Sequence, residues 1–190
     1  MEQVSGKLFQ RNILKILTNK LITEILEVIF LLLIGMLAIT IHSKLRIPMG
    51  IPGKHGILFM FLMIAGKMAS RFPFAASISS IGASSLLYFN VLGFTDPFLP
   101  VIYLFVGFSL DLMFLAYGRR EKSAILIAFF CGLSYMFIPL IRIFISTIIH
   151  IPYLSLLGNI FFTLVMHIIF GFIGGLLGVK LIQTANKKIP

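Results

Sequence analysis

Long apolar runs are the feature that most restricts the fold of this chain. The run "LITEILEVIFLLLIGMLAITIHS" at 21–43 is one of several that reach or approach the ~20 apolar residues a helix needs to cross a bilayer. Transmembrane β-barrels instead use alternating segments of about ten residues, and the sequence shows no such segments. With 59% hydrophobic residues, the chain exceeds the ~45–50% of ordinary soluble domains. The pattern predicts an all-α integral membrane protein.

The apolar runs predict six transmembrane helices with short connections, at about 21–43, 56–66, 72–93, 98–117, 123–147 and 153–182. The second run is short for a full crossing, so this span is expected to be tilted or to include part of the preceding loop. In "TDP" (95–97), Asp96 near the N-cap and Pro97 at the first helical position predict the start of the fourth helix. We therefore expect one six-helix domain over 21–182.

The two ends of the chain are predicted to be cytoplasmic segments outside this domain. Over residues 1–20, Lys7, Arg11 and Lys15 recur every four residues among apolar positions. This pattern predicts an amphipathic helix that lies on an anionic inner leaflet and leads into the first span, with no removed leader. Residues 183–190 are predicted to form a basic tail.

The distribution of Lys and Arg orients the spans. Cytoplasmic segments carry an excess of basic residues, and an N-terminus inside places twelve of them there against three outside. Together with Arg142, which falls within a span, these account for all 16 Lys and Arg residues. Both termini are therefore predicted to be cytoplasmic, and the +10 net charge is not expected to indicate nucleic-acid binding.

One loop departs from this rule. The segment "LRIPMGIPGKHG" at 45–56 carries two prolines, three glycines, Arg46, Lys54 and His55. It is predicted to be extracellular, so topology does not explain its positive charge.

Two ionisable residues inside predicted spans are expected to be functional or paired. From the ends of their helices, Asp111 and Arg142 should lie about 13 Å apart along the membrane normal, so we do not expect them to pair. Asp111 could form a structural ion pair with Lys67, Arg71 or Arg119, or contact a cytoplasmic partner, with a proton relay as a further possibility. Arg142 could extend to the headgroups or hold an anionic group, because guanidinium geometry suits carboxylate and phosphate.

Polar residues recur on the last two predicted helices. Tyr135, Pro139 and Arg142 share one face of the fifth helix. A stripe repeats every four residues on the sixth: Ser155, Asn159, Thr163 and His167. Such faces either contact other helices or line a solute pocket open to the outside.

Other features narrow the function class. The small-residue runs "AASISSIGASS" (75–85) and "GFIGGLLG" (171–178) allow close helix contacts, within the chain or with another membrane subunit. The single cysteine, Cys131, is predicted to be buried. No carboxylate pair, paired histidines or nucleotide-binding motif is visible, so we expect neither an enzyme nor a cofactor or metal site.

The segment "AITIHSKLRIPMGIPGKHGILFMFLMIAGK" resembles the end of the first helix, the proline-rich first loop and the second helix of energy-coupling factor (ECF) transporter S components. These are vitamin-capturing membrane subunits found mainly in bacteria, and the layout is most similar to their biotin-type members. The family's A-x-x-x-A signature is not present in helix one, where Gly35 and Ala38 are the nearest small residues.

The resemblance implies a bacterial cell-membrane subunit that captures a small, anionic, vitamin-like solute under the first outer loop. It implies a transmembrane coupling subunit and two ATPases on other chains, with Gly35, Ala38 and Asp111 as candidate docking residues. It also implies a set of substrate contacts: Arg46, Lys54, His55, Tyr135, Arg142, Asn159 and Thr163. The alternative is a non-transport scaffold or assembly partner in a membrane complex.

Overall fold

The described structure is all-helical. A computed structural model describes residues 2–45, 50–117, 123–153, 156 and 159–188, and these contain no strand. Its six helices are α1 (Glu2–Lys44), α2 (Gly56–Ala69), α3 (Ala75–Tyr88), α4 (Leu99–Tyr117), α5 (Ala124–Ile149) and α6 (Ile160–Lys188). The predicted all-α class is confirmed, with one helix at each predicted position.

Four helical segments are long and apolar enough to cross a membrane: Asn19–Lys44 of α1, then α4, α5 and Ile160–Lys187 of α6. The other two helices, α2 and α3, have 14 residues each. At 1.5 Å per residue they are about 21 Å long, which is less than the ~30 Å of the hydrocarbon core. The short second helix agrees with the sequence prediction, whereas the full-length third helix predicted over 72–93 is wrong.

Local backbone chemistry explains why α3 ends early. Asn90 has a positive φ of 51°, and its N–H donates to the carbonyl of Leu87 while that of Val91 donates to Leu86. This pair of bonds is the Schellman motif, which closes a helix with a left-handed residue. A second positive φ at Gly93 (73°) follows it. The helix therefore ends at Tyr88 although the sequence stays apolar.

The chain divides into two compact units, residues 1–30 and 31–190. The first is the N-terminal part of α1. The helix runs through residue 20 without a break. Lys20 and Glu24 form an exposed i,i+4 pair at 3.9 Å, and large apolar side chains from Leu21 onward are exposed, as suits contact with lipid.

In the second unit, glycines seat α6 between two neighbours. A Cβ on Gly171 or Gly175 would meet Cys131 of α5, and one on Gly174 or Gly178 would meet backbone carbonyls of α2. Close approach of this kind is what small residues permit in membrane helices. The run at 171–178 therefore serves contacts within this chain. Cys131 is fully buried, as predicted.

The residues predicted to dock a coupling subunit are engaged within the chain. A Cβ on Gly35 would collide with the carbonyl oxygen of Ser79, and one on Gly82 would collide with the α1 backbone. Ala38 is fully buried. Gly35 thus contacts the α3 backbone, and both Gly35 and Ala38 are buried within this chain.

The third predicted docking residue, Asp111, forms a buried ion pair. Its Oδ1 lies 2.6 Å from Nζ of Lys67, and both side chains are almost fully buried. Its Oδ2 accepts from the backbone N–H and the hydroxyl of Ser77, both at 2.7 Å, and Lys67 also donates to the Pro73 carbonyl. Of the partners predicted for Asp111, the structure therefore has the ion pair with Lys67. Together with the Ser77 hydrogen bonds, this pair links α2, α3 and α4.

A first prediction tests the close contact between α1 and α3. Gly35→Ala places a methyl group against the Ser79 carbonyl, which is backbone and cannot rotate away. We expect a loss of about 1–3 kcal/mol of stability, seen as a lower melting temperature of the purified protein. Gly50→Ala is the matched control because nothing lies within 4 Å of its added Cβ. Equal melting temperatures for the two variants would contradict the contact.

A second prediction concerns the buried pair. Asp111→Ala leaves the Lys67 ammonium buried without its carboxylate, which costs about 3–5 kcal/mol. The double variant Lys67→Met/Asp111→Asn removes both charges and keeps an acceptor for Ser77, so it should be more stable than Asp111→Ala. Thermal unfolding in one detergent measures all three proteins. A double variant no more stable than the single one would show that the charge pair is not the source of the loss.

Candidate functional site

A cavity of about 160 Å³ lies in the second unit. Its lining is polar and aromatic, which is unusual in so apolar a chain: His42, Gly53, His55, Phe94, Leu99, Tyr103, Tyr135, Ile138, Arg142 and His167. A wider groove of about 500 Å³ between α2 and α6 is lined mostly by apolar side chains. We take the smaller cavity as the candidate site because convergent polar groups, rather than size, give a site its specificity.

Most of the lining residues lie near the helix ends that the first, third and fifth connections join. His42 lies two residues before the end of α1, and His55 comes directly before α2. Tyr103 is one turn into α4, Arg142 is two turns before the end of α5, and His167 is two turns into α6. Gly53 and His55 of the first connection and Phe94 of the third also line the cavity, and both connections belong to the predicted outer side of the protein.

Two imidazoles form one wall. The rings of His42 and His55 are stacked with centroids 4.7 Å apart, and Nδ1 of His42 lies 3.1 Å from the Tyr103 hydroxyl. Phe94 meets His42 edge to face at 6.0 Å. These contacts join α1, the segment before α2, the segment before α4, and α4 itself.

A second ring pair faces it. The rings of Tyr135 and His167 stack at 5.2 Å, and Nδ1 of His167 lies 2.7 Å from the Thr163 carbonyl oxygen. A carbonyl only accepts, so Nδ1 carries the hydrogen and the neutral ring keeps Nε2 as an acceptor. Thr163, which is buried, thus orients His167.

Glycines bring the loop onto these rings. Gly53 has φ +79°, and a Cβ there would lie 2.9 Å from Nδ1 of His167. A Cβ on Gly56 would collide with the ring of Tyr135. Only glycine combines the left-handed conformation of residue 53 with so close an approach.

Arg142 is the only permanently charged side chain among the lining residues that the structure describes. Its Nη2 lies 3.4 Å from Oδ2 of Asp96, whose Oδ1 accepts from the Tyr153 hydroxyl at 3.2 Å. The guanidinium also lies 5.4 Å from the Tyr153 ring centroid. Burial and the Asp96 carboxylate raise the pKa of the Tyr153 phenol, so Tyr153 donates this bond. Arg142 is thus partly buried, in contact with Asp96 and with the ring of Tyr153.

Two buried atoms beside the cavity have no hydrogen-bond partner in the described part of the chain, Nε of Arg142 and Nδ1 of His55. Burial, and then the positive charge of Lys54, lower the pKa of His55. The imidazole is therefore held neutral, and its Nδ1 can donate or accept according to tautomer.

The structure brings some of the predicted contacts together and separates others. His55, Tyr135 and Arg142 line the cavity, while Thr163 lies behind His167. Lys54 adjoins His55 in sequence but is not part of the lining. Arg46 lies outside the described residues.

Asn159 has a different place from the one predicted. Helix α6 begins at Ile160, not near 153, and Oδ1 of Asn159 accepts from the backbone N–H of Phe162 at 3.2 Å. This is the geometry of a helix N-cap, and the residue is exposed. Of the predicted four-residue stripe, only Thr163 and His167 are helical, and Ser155 lies outside the described residues.

Sequence reasoning missed the residues that complete the site. His42, Phe94 and Tyr103 come from three separate segments, and His42 contacts Tyr103 across 61 positions. No residue spacing or sequence motif predicts such a contact. The recurrence of histidine near the outer helix ends was the one available signal.

The lining of the site combines aromatic faces with a few polar atoms. No group of three or more His, Cys, Asp or Glu side chains is placed to hold a metal ion within the ranges that the structure describes. In the stacked pair of His42 and His55, the ring faces meet, so the in-plane nitrogen lone pairs do not converge on one point. Aromatic faces with a few polar atoms are typical of small-molecule pockets.

Comparison with known proteins gives no relative: no family model, no curated protein and no solved structure matches this chain.

A third prediction uses the lowered pKa of His55. The unfolded chain, with an ordinary histidine pKa near 6.5, binds more protons than the folded one as pH falls, so folding stability decreases below about pH 6.5. His55→Gln should reduce the drop in melting temperature between pH 7.5 and 5.5. His150→Asn, at an exposed histidine, is the matched control and should leave the drop unchanged. A full drop in His55→Gln would contradict the neutral His55.

Proposed function

We propose that this chain is the substrate-capture subunit of an ECF-type uptake transporter, and that it binds a small, anionic, vitamin-like solute in the cavity. The observation that carries the proposal is the cavity itself: three imidazoles, two phenols and one guanidinium converge there. Two of their atoms lack partners among the described residues.

Energetics supports a ligand-binding role. A buried polar group without a hydrogen bond costs roughly 1–3 kcal/mol in proteins, and charges at membrane depth are costlier still. The Lys67–Asp111 pair shows how this chain satisfies a purely structural charge, with short bonds to several partners. Arg142, by contrast, has one 3.4 Å ion-pair contact and a contact with the Tyr153 ring, and its Nε has no partner among the described residues. A carboxylate or phosphate would complete its coordination.

The position of the cavity also supports the proposal. The segment before α2 and the adjoining parts of α4, α5 and α6 surround it, which is the arrangement that the ECF resemblance implies for the substrate. The bias of basic residues toward the other helix ends would place the opening outside the cell, with both termini cytoplasmic. No ATP-binding motif is present, so the coupling subunit and the two ATPases would be separate chains.

The scaffold alternative has less support. It would require faces shaped for another protein, and the small-residue runs that suggested them contact helices of this chain. The remaining apolar surface, such as Leu21 to Phe30 of α1, is what lipid contact requires.

A fourth prediction tests capture. Protein purified from native membranes should carry a solute that mass spectrometry identifies, and Arg142→Gln should bind it at least about tenfold more weakly, because a charge-assisted hydrogen bond is lost. Lys187→Gln removes the same charge at an exposed position of α6 and should bind normally. Equal affinities of the two variants would remove Arg142 from the site. Co-purification of a protein partner, with no bound solute, would favour the scaffold.

A further inference from the structure

The dimensions and charges of the cavity define its ligand more narrowly, and this inference rests on the proposed function. We propose that the solute is a carboxylate on a single aromatic ring, and that its carboxylate replaces Asp96 as the ion-pair partner of Arg142.

Volume sets the first limit. The cavity measures about 160 Å³, whereas pockets for drug-sized ligands have about 300–1,000 Å³. An engineered cavity of about 150 Å³ in another protein holds benzene. One six-membered ring with a small substituent therefore fits, and a fused two-ring compound does not.

The walls select a planar ligand. Both ring pairs that face the cavity are stacked, His42 with His55 and Tyr135 with His167, and Phe94 and Tyr103 add further aromatic surface. Aromatic rings interact favourably when stacked with an offset or edge to face. A saturated ring of similar volume lacks these contacts and is thicker.

Charge selects an anion. Among the described residues that line the cavity, Arg142 supplies the permanent charge and none is a carboxylate. The Asp96 carboxylate lies 3.4 Å from Nη2, beyond the ~2.7–2.9 Å of a strong charge-assisted bond. In many bidentate pairs a carboxylate binds the edge of the guanidinium that Nε and Nη2 form. Nε of Arg142 is unpartnered in the described residues.

Asp96 is therefore an internal competitor for Arg142. Its other oxygen is held by the Tyr153 hydroxyl, and Oδ1 also accepts from the Phe98 N–H at 3.0 Å. Asp96 keeps these two donors when the ligand carboxylate binds the guanidinium. After the exchange the Asp96 carboxylate has lost its cationic partner, and these two hydrogen bonds stabilise its charge.

The experiment is calorimetric titration of the full-length protein in lipid nanodiscs with four probes: benzoate, benzamide, cyclohexanecarboxylate and 1-naphthoate. Benzoate should bind saturably. Benzamide, its neutral isostere, and cyclohexanecarboxylate, its non-planar analogue, should each bind at least about tenfold more weakly. Naphthoate should not bind at concentrations that saturate the site with benzoate. Equal binding of benzamide, of cyclohexanecarboxylate or of naphthoate would overturn the proposed class.

Two variants test the exchange. Arg142→Gln should weaken benzoate at least about tenfold and change benzamide by less than about twofold. Asp96→Asn removes the competing charge and keeps an acceptor for Tyr153, so it should strengthen benzoate severalfold while the melting temperature stays within a few degrees. Weaker benzoate binding to a folded Asp96→Asn would show that Asp96 holds Arg142 in place and would overturn the exchange.

The outcomes separate this inference from the proposed function. A co-purified solute that requires Arg142 but is not a single-ring aromatic carboxylate would overturn the inference and leave the capture function standing. Binding of neither the probes nor any co-purified solute would overturn both.

Discussion

Close approach of helix backbones is the constraint on which the rest of the second unit depends. Where a Cβ would collide with a neighbouring backbone, at Gly35, Gly82 and Gly174, two helices come nearer than larger side chains permit. The same device continues into the site. Gly53 meets His167 and Gly56 meets Tyr135, so the cavity is shaped by the absence of side chains as much as by the rings that line it.

Two of the ion pairs among the described residues illustrate different solutions to one problem. Lys67 and Asp111 are 2.6 Å apart and are surrounded by further hydrogen bonds, which is how a low-dielectric interior tolerates charge. Arg142 and Asp96 are farther apart, and each uses only part of its bonding capacity on the other. The first arrangement suits permanent structure, and the second suits exchange of partners.

The sequence predicts the helices well and the site in part. The lengths of the apolar runs locate all six helices because the bilayer requires apolar segments. Hydropathy alone misplaces the end of α3, because the left-handed backbone of Asn90 does not change the mean hydropathy of the segment. The helical repeat places Tyr135 and Arg142 on one face, and both line the cavity. The same repeat predicts Asn159 and Thr163 on one face of the sixth helix, but this helix begins at Ile160, after Asn159. His42 and Tyr103 could not be foreseen, because their contact depends on how distant helices meet.

The shortness of α2 has an electrostatic consequence. Its first residues, Gly56 and Ile57, lie beside Gly174, about four turns into α6. Its last turn places Lys67 against Asp111, well inside α4. The helix is therefore recessed at both ends relative to its longer neighbours. A solute that reached the segment before α2 would already have descended below the rim of the bundle and left most bulk water behind. Coulomb attraction strengthens as the dielectric constant falls, so a single guanidinium at that depth exerts more pull on an anion than several lysines at the rim.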